Sequence, residues 1–227
     1  MKRKIITTSD GSKTIQIEDW DEQYHSKHGA VQEAYHVFIK HGLSLFENRK
    51  ISILEIGFGT GLNALITWKE SSRYNLEVRY TGVEAFPVTK EEIRQLDYIN
   101  ELNAQELANG FEKMHDAAWE ETIKLTNNFT IHKQQKDFMD IADKEDYNLI
   151  YFDAFGARVQ PELWTETLFQ KMFNALSENG VLVTYAAKGS VRRAMQSVGF
   201  KVERLPGPPG KREMLRAVKI DFGDVKS

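Results

Sequence analysis

The chain has 227 residues, 41% of them apolar, and 30 Lys/Arg set against 33 Asp/Glu give a formal net charge of −3. That length fits one large domain, or one with a small extension, and the longest apolar stretches, around 51–58 and 181–187, are strand length and exclude a bilayer-spanning segment. Cysteine is absent, which excludes disulfides, thiolate metal sites and cysteine nucleophiles and is compatible with a cytoplasmic location.

The basic start, Met1 to Lys4, is followed by Thr7–Ser12 where a signal peptide needs its hydrophobic region. Residues 4–17 read as a hairpin with a Ser-Asp-Gly-Ser turn. Trp20 to Gly29 is dense in polar side chains, and Ala30–Leu45 reads as a helix. His25, His28 and His36 lack a paired acid-and-His spacing, so no metal is expected; capping a pocket or satisfying local backbone groups is the role expected of them.

The stretch Ile51–Ile66 carries the strongest signal. Ile51 to Ile56 is a β-branched, nearly unbroken apolar run, as in a strand buried on both faces. Gly57, Gly59 and Gly61 follow, and a helical apolar pattern begins at Leu62. Glycines permit positive φ and let a ligand approach the backbone without meeting a Cβ. A dinucleotide fingerprint needs its third glycine at position 62, which is Leu62, so the spacing is GxGxG. Glu84 ends the next apolar strand, roughly 20 residues on, where an acid accepts ribose hydroxyls. The combination points to an adenosine-containing cofactor, and S-adenosylmethionine suits the spacing better than a nicotinamide.

Beyond Ala85-Phe86-Pro87, Thr89 and Glu92 have capping-box spacing at the start of a helix. Residues 95–126 read as mostly helical, and Phe129–His132 as a short strand followed by Asp137 and Phe138. Tyr147–Asp153 is a core strand with an acid at its carboxyl end. Pro161 is expected to open a helix to Leu176, Val181–Ala187 to form the fifth core strand, and Ser190–Val198 a helix. Phe200–Leu205 and Met214–Ile220 are joined by Pro206–Gly210, too short for a crossover helix, so this pair should be antiparallel. The pattern predicts an α/β fold: a doubly wound, mostly parallel, Rossmann-like sheet of seven strands with an antiparallel edge strand. Residues 1–48 are expected to form an N-terminal hairpin and helix extension packed on a domain of residues 49–227.

In open α/β sheets ligands lie beyond the strands' carboxyl ends. Glu84, Asp137 and Asp153 are all expected there. Glu84 can take the ribose hydroxyls, Asp137 the adenine amino group with Phe138 packed on the ring, and Asp153 lies nearest the reacting centre. Phe155 and Trp164, in the loop after Asp153, are candidates to stack on a base or face a cation, with a helix-anchoring role equally open to Trp164. From Lys188 onward ten Lys/Arg meet four Asp/Glu, so this quarter carries +6 and the first 187 residues −9. Such a bias reads as a solvated face or a polyanion-binding surface.

Five stretches together resemble the methyltransferase domain of the MnmC family: Glu55–Asn63, Val83–Thr89, Asp153–Trp164, Tyr185–Gly199 and Gly210–Met214. Tyr24–Glu33 is similar too, and the likeness covers nearly the whole chain. It implies a class I methyltransferase that transfers a methyl from S-adenosylmethionine to the primary amine of 5-aminomethyl-2-thiouridine at the wobble position of bacterial tRNA. Glu55, Gly57, Phe58, Gly59, Thr60, Gly61, Asn63, Glu84, Ala85, Phe86, Asp137 and Phe138 are then the expected cofactor residues. Asp153 joins them as the acid at the reaction centre. Tyr24, His25, Glu33, Phe155 and Trp164 are expected to meet the substrate, and Arg192, Arg193, Lys211 and Arg212 its phosphates. Some family members carry a fused flavin-dependent oxidase that removes a carboxymethyl group; this sequence shows no second glycine fingerprint, so such an oxidase is an expected separate partner acting upstream. A monomer is expected. Methylation of a small-molecule amine, and non-catalytic cofactor or RNA binding, are the alternatives the residues leave open.

Overall fold

The computed structural model describes residues 2–9, 11–24 and 29–220. It opens with a small antiparallel sheet, β1 (Arg3–Thr7), β2 (Lys13–Ile17) and β3 (Glu22–Gln23). A short α1 (Ala30–Ala34) leads on to β4 (Lys50–Ile56), α2 (Leu62–Ser71) and β5 (Glu77–Glu84). Three short helices follow, α3 (Lys90–Arg94), α4 (Tyr98–Glu101) and α5 (Ala108–Asp116). The hairpin β6 (Thr122–Thr126) and β7 (Phe129–Gln135) leads to β8 (Tyr147–Phe152), α6 (Glu166–Ala175) and β9 (Leu176–Thr184). The last elements are α7 (Gly189–Ser197), β10 (Phe200–Pro206) and β11 (Glu213–Lys219).

The main sheet runs β10-β11-β9-β8-β4-β5-β7-β6. The five central strands are parallel, and the pair β10/β11 is antiparallel as its short proline-rich joint requires. The order of strand addition reverses at β4: β5 and β7 extend the sheet one way, β8 and β9 the other. That switch opens a crevice above the carboxyl ends of β4 and β8, the place where α/β sheets bind ligands. β4 is buried on both faces. Ile51 and Ile53 pack into the core on one side, Leu54 and Ile56 into the core on the other, and each such side chain contributes about 1.5–3 kcal/mol relative to exposure.

Three expectations need correction. The main sheet has eight strands among the described residues, not seven, because Thr122–Thr126 is a strand rather than the end of a helical region. Asn127 and Asn128 turn the chain back on itself, and β6 pairs antiparallel with β7. Ala30–Leu45 is not one α-helix: Tyr35–Lys40 widens into π-type turns, and a 3₁₀ turn, Leu43–Leu45, follows Gly42. A Cβ at Gly42 would meet Phe38 O at 2.5 Å, so the tight reversal there needs glycine. The helix expected from Pro161 is broken at Thr165, which has extended backbone angles; Pro161–Trp164 is a 3₁₀ turn and α6 starts at Glu166.

The small sheet is tied to two loops that rim the crevice. Arg3 donates through Nη2 to Phe86 O (2.8 Å) and through Nη1 to Pro87 O (3.1 Å) and Glu92 Oε2 (3.3 Å). On the opposite rim Arg158 Nη2 donates to Trp20 O, Asp21 O and Glu22 Oε2 at 3.1, 3.2 and 2.8 Å. Residues far apart in the chain thus roof the carboxyl edge. No helix among the described residues is long and apolar enough to cross a membrane.

Candidate active site

A cavity of about 700 Å³ lies above the carboxyl ends of β4, β5 and β8, bounded by the glycine turn, the loops after Glu84 and Asp153, and the small sheet. The volume is within the ~300–1,000 Å³ range of sites that enclose small molecules.

The turn from β4 into α2 forms its floor. Gly57 has φ +89, and a Cβ there would lie 2.7 Å from Asp153 O. Only glycine allows the turn to close against the end of β8 in this way. Gly59, at φ +50, donates its N–H to Glu84 Oε2 (3.0 Å), while Glu84 Oε1 accepts from Phe86 N (2.9 Å). Each carboxylate oxygen has two lone pairs, so Glu84 keeps acceptor capacity toward the cavity it lines. Asp137 also lines the cavity and accepts from Met139 N (2.8 Å), next to Phe138 and Met139. Ala85 and Phe86 stand at the rim, Phe86 60% exposed.

The acidic end is built around Asn63. Its Nδ2 donates to Glu55 Oε1 (2.9 Å) and Asp153 Oδ2 (2.8 Å), while its buried Oδ1 meets no donor among the described residues. Glu55 is fully buried and also accepts from Tyr80 OH (2.8 Å). Burial pushes the Asp153 carboxyl well above the usual carboxylate range, with the Glu33 charge adding to it. Burial raises Glu55 in the same direction. Asn63 thus ties the fully buried Glu55 to Asp153, which lines the cavity and is the acid of this end that a ligand meets.

Of the expected site residues, the cavity gathers Tyr24, Glu33, Gly57, Phe58, Gly59, Thr60, Asn63, Glu84, Ala85, Phe86, Asp137, Phe138, Asp153, Phe155 and Lys211. Glu55 and Gly61 stand behind this wall, and His25 lies outside the described residues, as does His28. Phe155 packs edge-on to Tyr24 and Trp20, with centroids 5.0 and 5.6 Å apart. Trp164 does not face the cavity. It is buried against Phe152 and Phe169, and its Nε1 donates to Phe155 O (2.8 Å), so it anchors the loop that carries Phe155. Lys211 is not a free phosphate contact either, because its ammonium pairs with Glu33 inside the cavity. Arg192 and Arg193 sit on α7, and exposed Arg212 on the β10–β11 turn, all outside the cavity. His36 bonds Pro206 O at 2.8 Å.

Sequence reasoning missed Tyr185, Met139, Trp20 and Gln23, which all line the cavity. Tyr185 follows β9, so the strand-end rule that found Asp153 would have found it. Trp20 and Gln23 reach the site only through the roof formed by the small sheet, which no local pattern announces.

Beneath the floor, His115 of α5 lies against Gly61 and Phe58. Burial lowers its imidazole to about 3, with the Lys133 charge acting the same way. Between about 6.5 and about 3 the unfolded chain then binds a proton that the folded chain does not. Stability is expected to fall as pH drops through that window, by up to ~1.4 kcal/mol per pH unit. Urea unfolding from pH 7 to 4 should show a shallower loss for His115→Gln than for the parent; equal slopes would refute the assignment.

The glycine turn, the strand-end acid and the doubly wound sheet define an α/β enzyme class that holds an adenosyl group over the sheet's carboxyl edge. The chain belongs to the family of S-adenosyl-L-methionine-dependent methyltransferases, whose model matches residues 96–220, more than half of its length. S-adenosylmethionine is accordingly its cofactor. Among curated relatives, the tRNA 5-methylaminomethyl-2-thiouridine biosynthesis bifunctional protein MnmC of Hydrogenovibrio crunogenus is 30% identical over 231 residues, covering 94% of this chain and 33% of that protein. The protein of the same name from Leptospira interrogans is 30% identical, covering 87% and 32%. The chain thus spans about a third of the length of these relatives. The crystal structure of MnmC2 from Aquifex aeolicus aligns at a TM-score of 0.75 with 24% identity, covering 96% of this chain and 70% of that one. Spermidine synthase from Thermotoga maritima aligns at 0.56 with 15% identity, covering 96% and 74%. Both structural likenesses show the fold.

Proposed function

We propose that the chain methylates the primary amine of 5-aminomethyl-2-thiouridine, or its non-thiolated form, at the wobble position of tRNA. The observation that carries this reading is one cavity with two chemically distinct ends: a glycine-and-Glu84 cradle for an adenosyl group, and an acidic recess at Asp153 for an amine. The names of the relatives support the choice of acceptor.

The residues fit the cofactor. Glu84 has lone pairs left for ribose hydroxyls, and Asp137 and Phe138 suit an adenine. When bound, S-adenosylmethionine supplies an activated methyl on a sulfonium, which needs no Lewis acid. The chain's own contribution is alignment and exclusion of water. An alkylamine, with a lysine-like pKa near ~10.4, is mostly protonated at neutral pH and must become neutral to react. A carboxylate would hold the proton on, so Asp153 orients the amine by accepting a hydrogen bond, and the proton leaves to water as the amine enters the buried recess. Glu33 and Phe155 shape the acceptor side, Tyr24 reaches from Phe155 across to Gly59 of the cradle, and Arg192, Arg193 and Arg212 position tRNA through phosphates without reading sequence.

In this reading residues 1–48 are an N-terminal extension whose small sheet roofs the crevice, and residues 49–227 are the catalytic domain, acting as a cytoplasmic monomer. A flavin-dependent oxidase is its upstream partner. Nucleoside analysis of tRNA from cells lacking the gene tests the proposal. The unmethylated aminomethyl nucleoside should accumulate and vanish on complementation; an unchanged nucleoside profile would refute it.

A further inference from the structure

The acidic recess already contains a cation. Lys211 Nζ donates to Glu33 Oε2 and lies 3.9 Å from the centroid of the Tyr185 ring. Its backbone is fixed by a closed turn: Lys211 N donates to Pro208 O (2.9 Å) and Gly207 N to Arg212 O (3.1 Å). A Cβ on Gly207 would meet Lys211 O at 2.4 Å, so the turn closes this tightly only with glycine there. Glu33 arrives from α1, 178 positions away. The Lys211 side chain is 31% exposed, and an ion pair screened to that degree adds little to stability. Its place on the cavity wall beside Asp153 points to a role in the chemistry.

We propose that Lys211 is a positioning residue for the amine: by neutralising Glu33 it leaves the acceptor nitrogen facing a single carboxylate, Asp153, so that the nitrogen can shed its proton before methyl transfer. The inference rests on the amine-methylation reading above. Glu33 and Asp153 lie close enough for the charge of one to act on the other. An alkylammonium between two unpaired carboxylates is held protonated, and a protonated nitrogen has no lone pair to attack with. With Lys211 on Glu33, one acid remains to orient the amine. Among the described residues, the other charged or titratable groups around the recess are Glu55 behind Asn63, Tyr185 beyond β9, Tyr24 against Phe155, and Glu22 of β3, which is paired with Arg158. None of them supplies a second cation free to replace Lys211: Arg158 is held by Glu22 and two backbone carbonyls. His36 touches the turn itself at Pro206 O.

The test is the pH dependence of kcat on an anticodon stem-loop bearing 5-aminomethyluridine, with KM measured alongside. Lys211→Met, which keeps the packing on Tyr185, should move the acid limb up by about one pH unit and cost about tenfold in kcat at pH 7. KM should change less than kcat. Lys211→Arg should recover most of that loss, Glu33→Gln should move the limb the other way, and the double variant Glu33→Gln with Lys211→Met should return toward the parent. Opposite shifts from two partners of one ion pair are not what simple loss of structure produces. A second readout needs no turnover: calorimetry of stem-loop binding in buffers of different ionisation heat counts protons released, and Lys211→Met should release fewer than the parent. An unmoved acid limb and an unchanged proton count in Lys211→Met would overturn the inference while leaving the functional reading intact. A parent enzyme that transfers no methyl to the stem-loop would overturn the functional reading, and the proton count would still judge Lys211.

Discussion

Asp153→Asn is expected to lower kcat by roughly 10²-fold, the scale of loss when a reacting group is misplaced by about an ångström, while the affinity for S-adenosylmethionine changes by less than about threefold. The asymmetry follows from position. In the proposed assignment Asp153 lines the acceptor end of the cavity, and its side-chain hydrogen bond from Asn63 Nδ2 can still be accepted by the Oδ1 of an asparagine. The same substitution should leave the fold as stable or make it more stable. Burial raises the Asp153 carboxyl in the folded state, so between its unfolded value and its folded value the native chain holds a proton that the unfolded chain has lost. Stability therefore declines as pH rises through that window, and the deficit is fully present above it. Asparagine removes the deficit. A variant with poor turnover, intact cofactor binding and an equal or higher Tm at pH 8 is thus the expected result; a stable variant with normal turnover would end the assignment of Asp153 to the reaction.

Glu84→Gln should weaken S-adenosylmethionine binding by about 10- to 100-fold, the worth of one charge-assisted hydrogen bond of roughly 1.5–3 kcal/mol. Both oxygens of Glu84 accept backbone N–H groups, from Gly59 and from Phe86. A glutamine offers only one acceptor, so its amide NH₂ must face one of those donors or swing into the cavity. Either choice disturbs the turn as well as the ribose contact. Cofactor-induced stabilisation reads this directly: at a hundred times Kd the parent gains about 2.7 kcal/mol, and a variant bound 100-fold more weakly gains under about 0.5 kcal/mol at the same concentration. Isothermal calorimetry supplies the Kd. Undiminished affinity would mean that Glu84 serves only the protein's own backbone.

The strand–glycine–helix unit, the capping box at Thr89 and Glu92, and the antiparallel closing pair all follow from neighbours in the chain, and the structure has them where the sequence predicts. The reason is physical: periodicity, positive φ and joint length act within a few residues. β6 was not legible because Thr122–Thr126 is too short to override the polar, helix-compatible run before it, and only pairing with β7 decides its state. Trp164 had two open roles until packing on Phe152 and Phe169 settled which way its ring lies.

Sequence by itself determined the class of site: a glycine corner and acids at strand ends are local features, and sheet topology carries them to one edge. Only tertiary structure decided what charge the acceptor recess presents. Lys211 and Glu33, read separately, were a phosphate contact and a substrate contact; their pairing 178 positions apart depends on β11 lying beside β9 and on the N-terminal segment folding over the crevice. Electrostatics between side chains falls with distance in space, not along the chain, and that distance exists only once the sheet order is fixed.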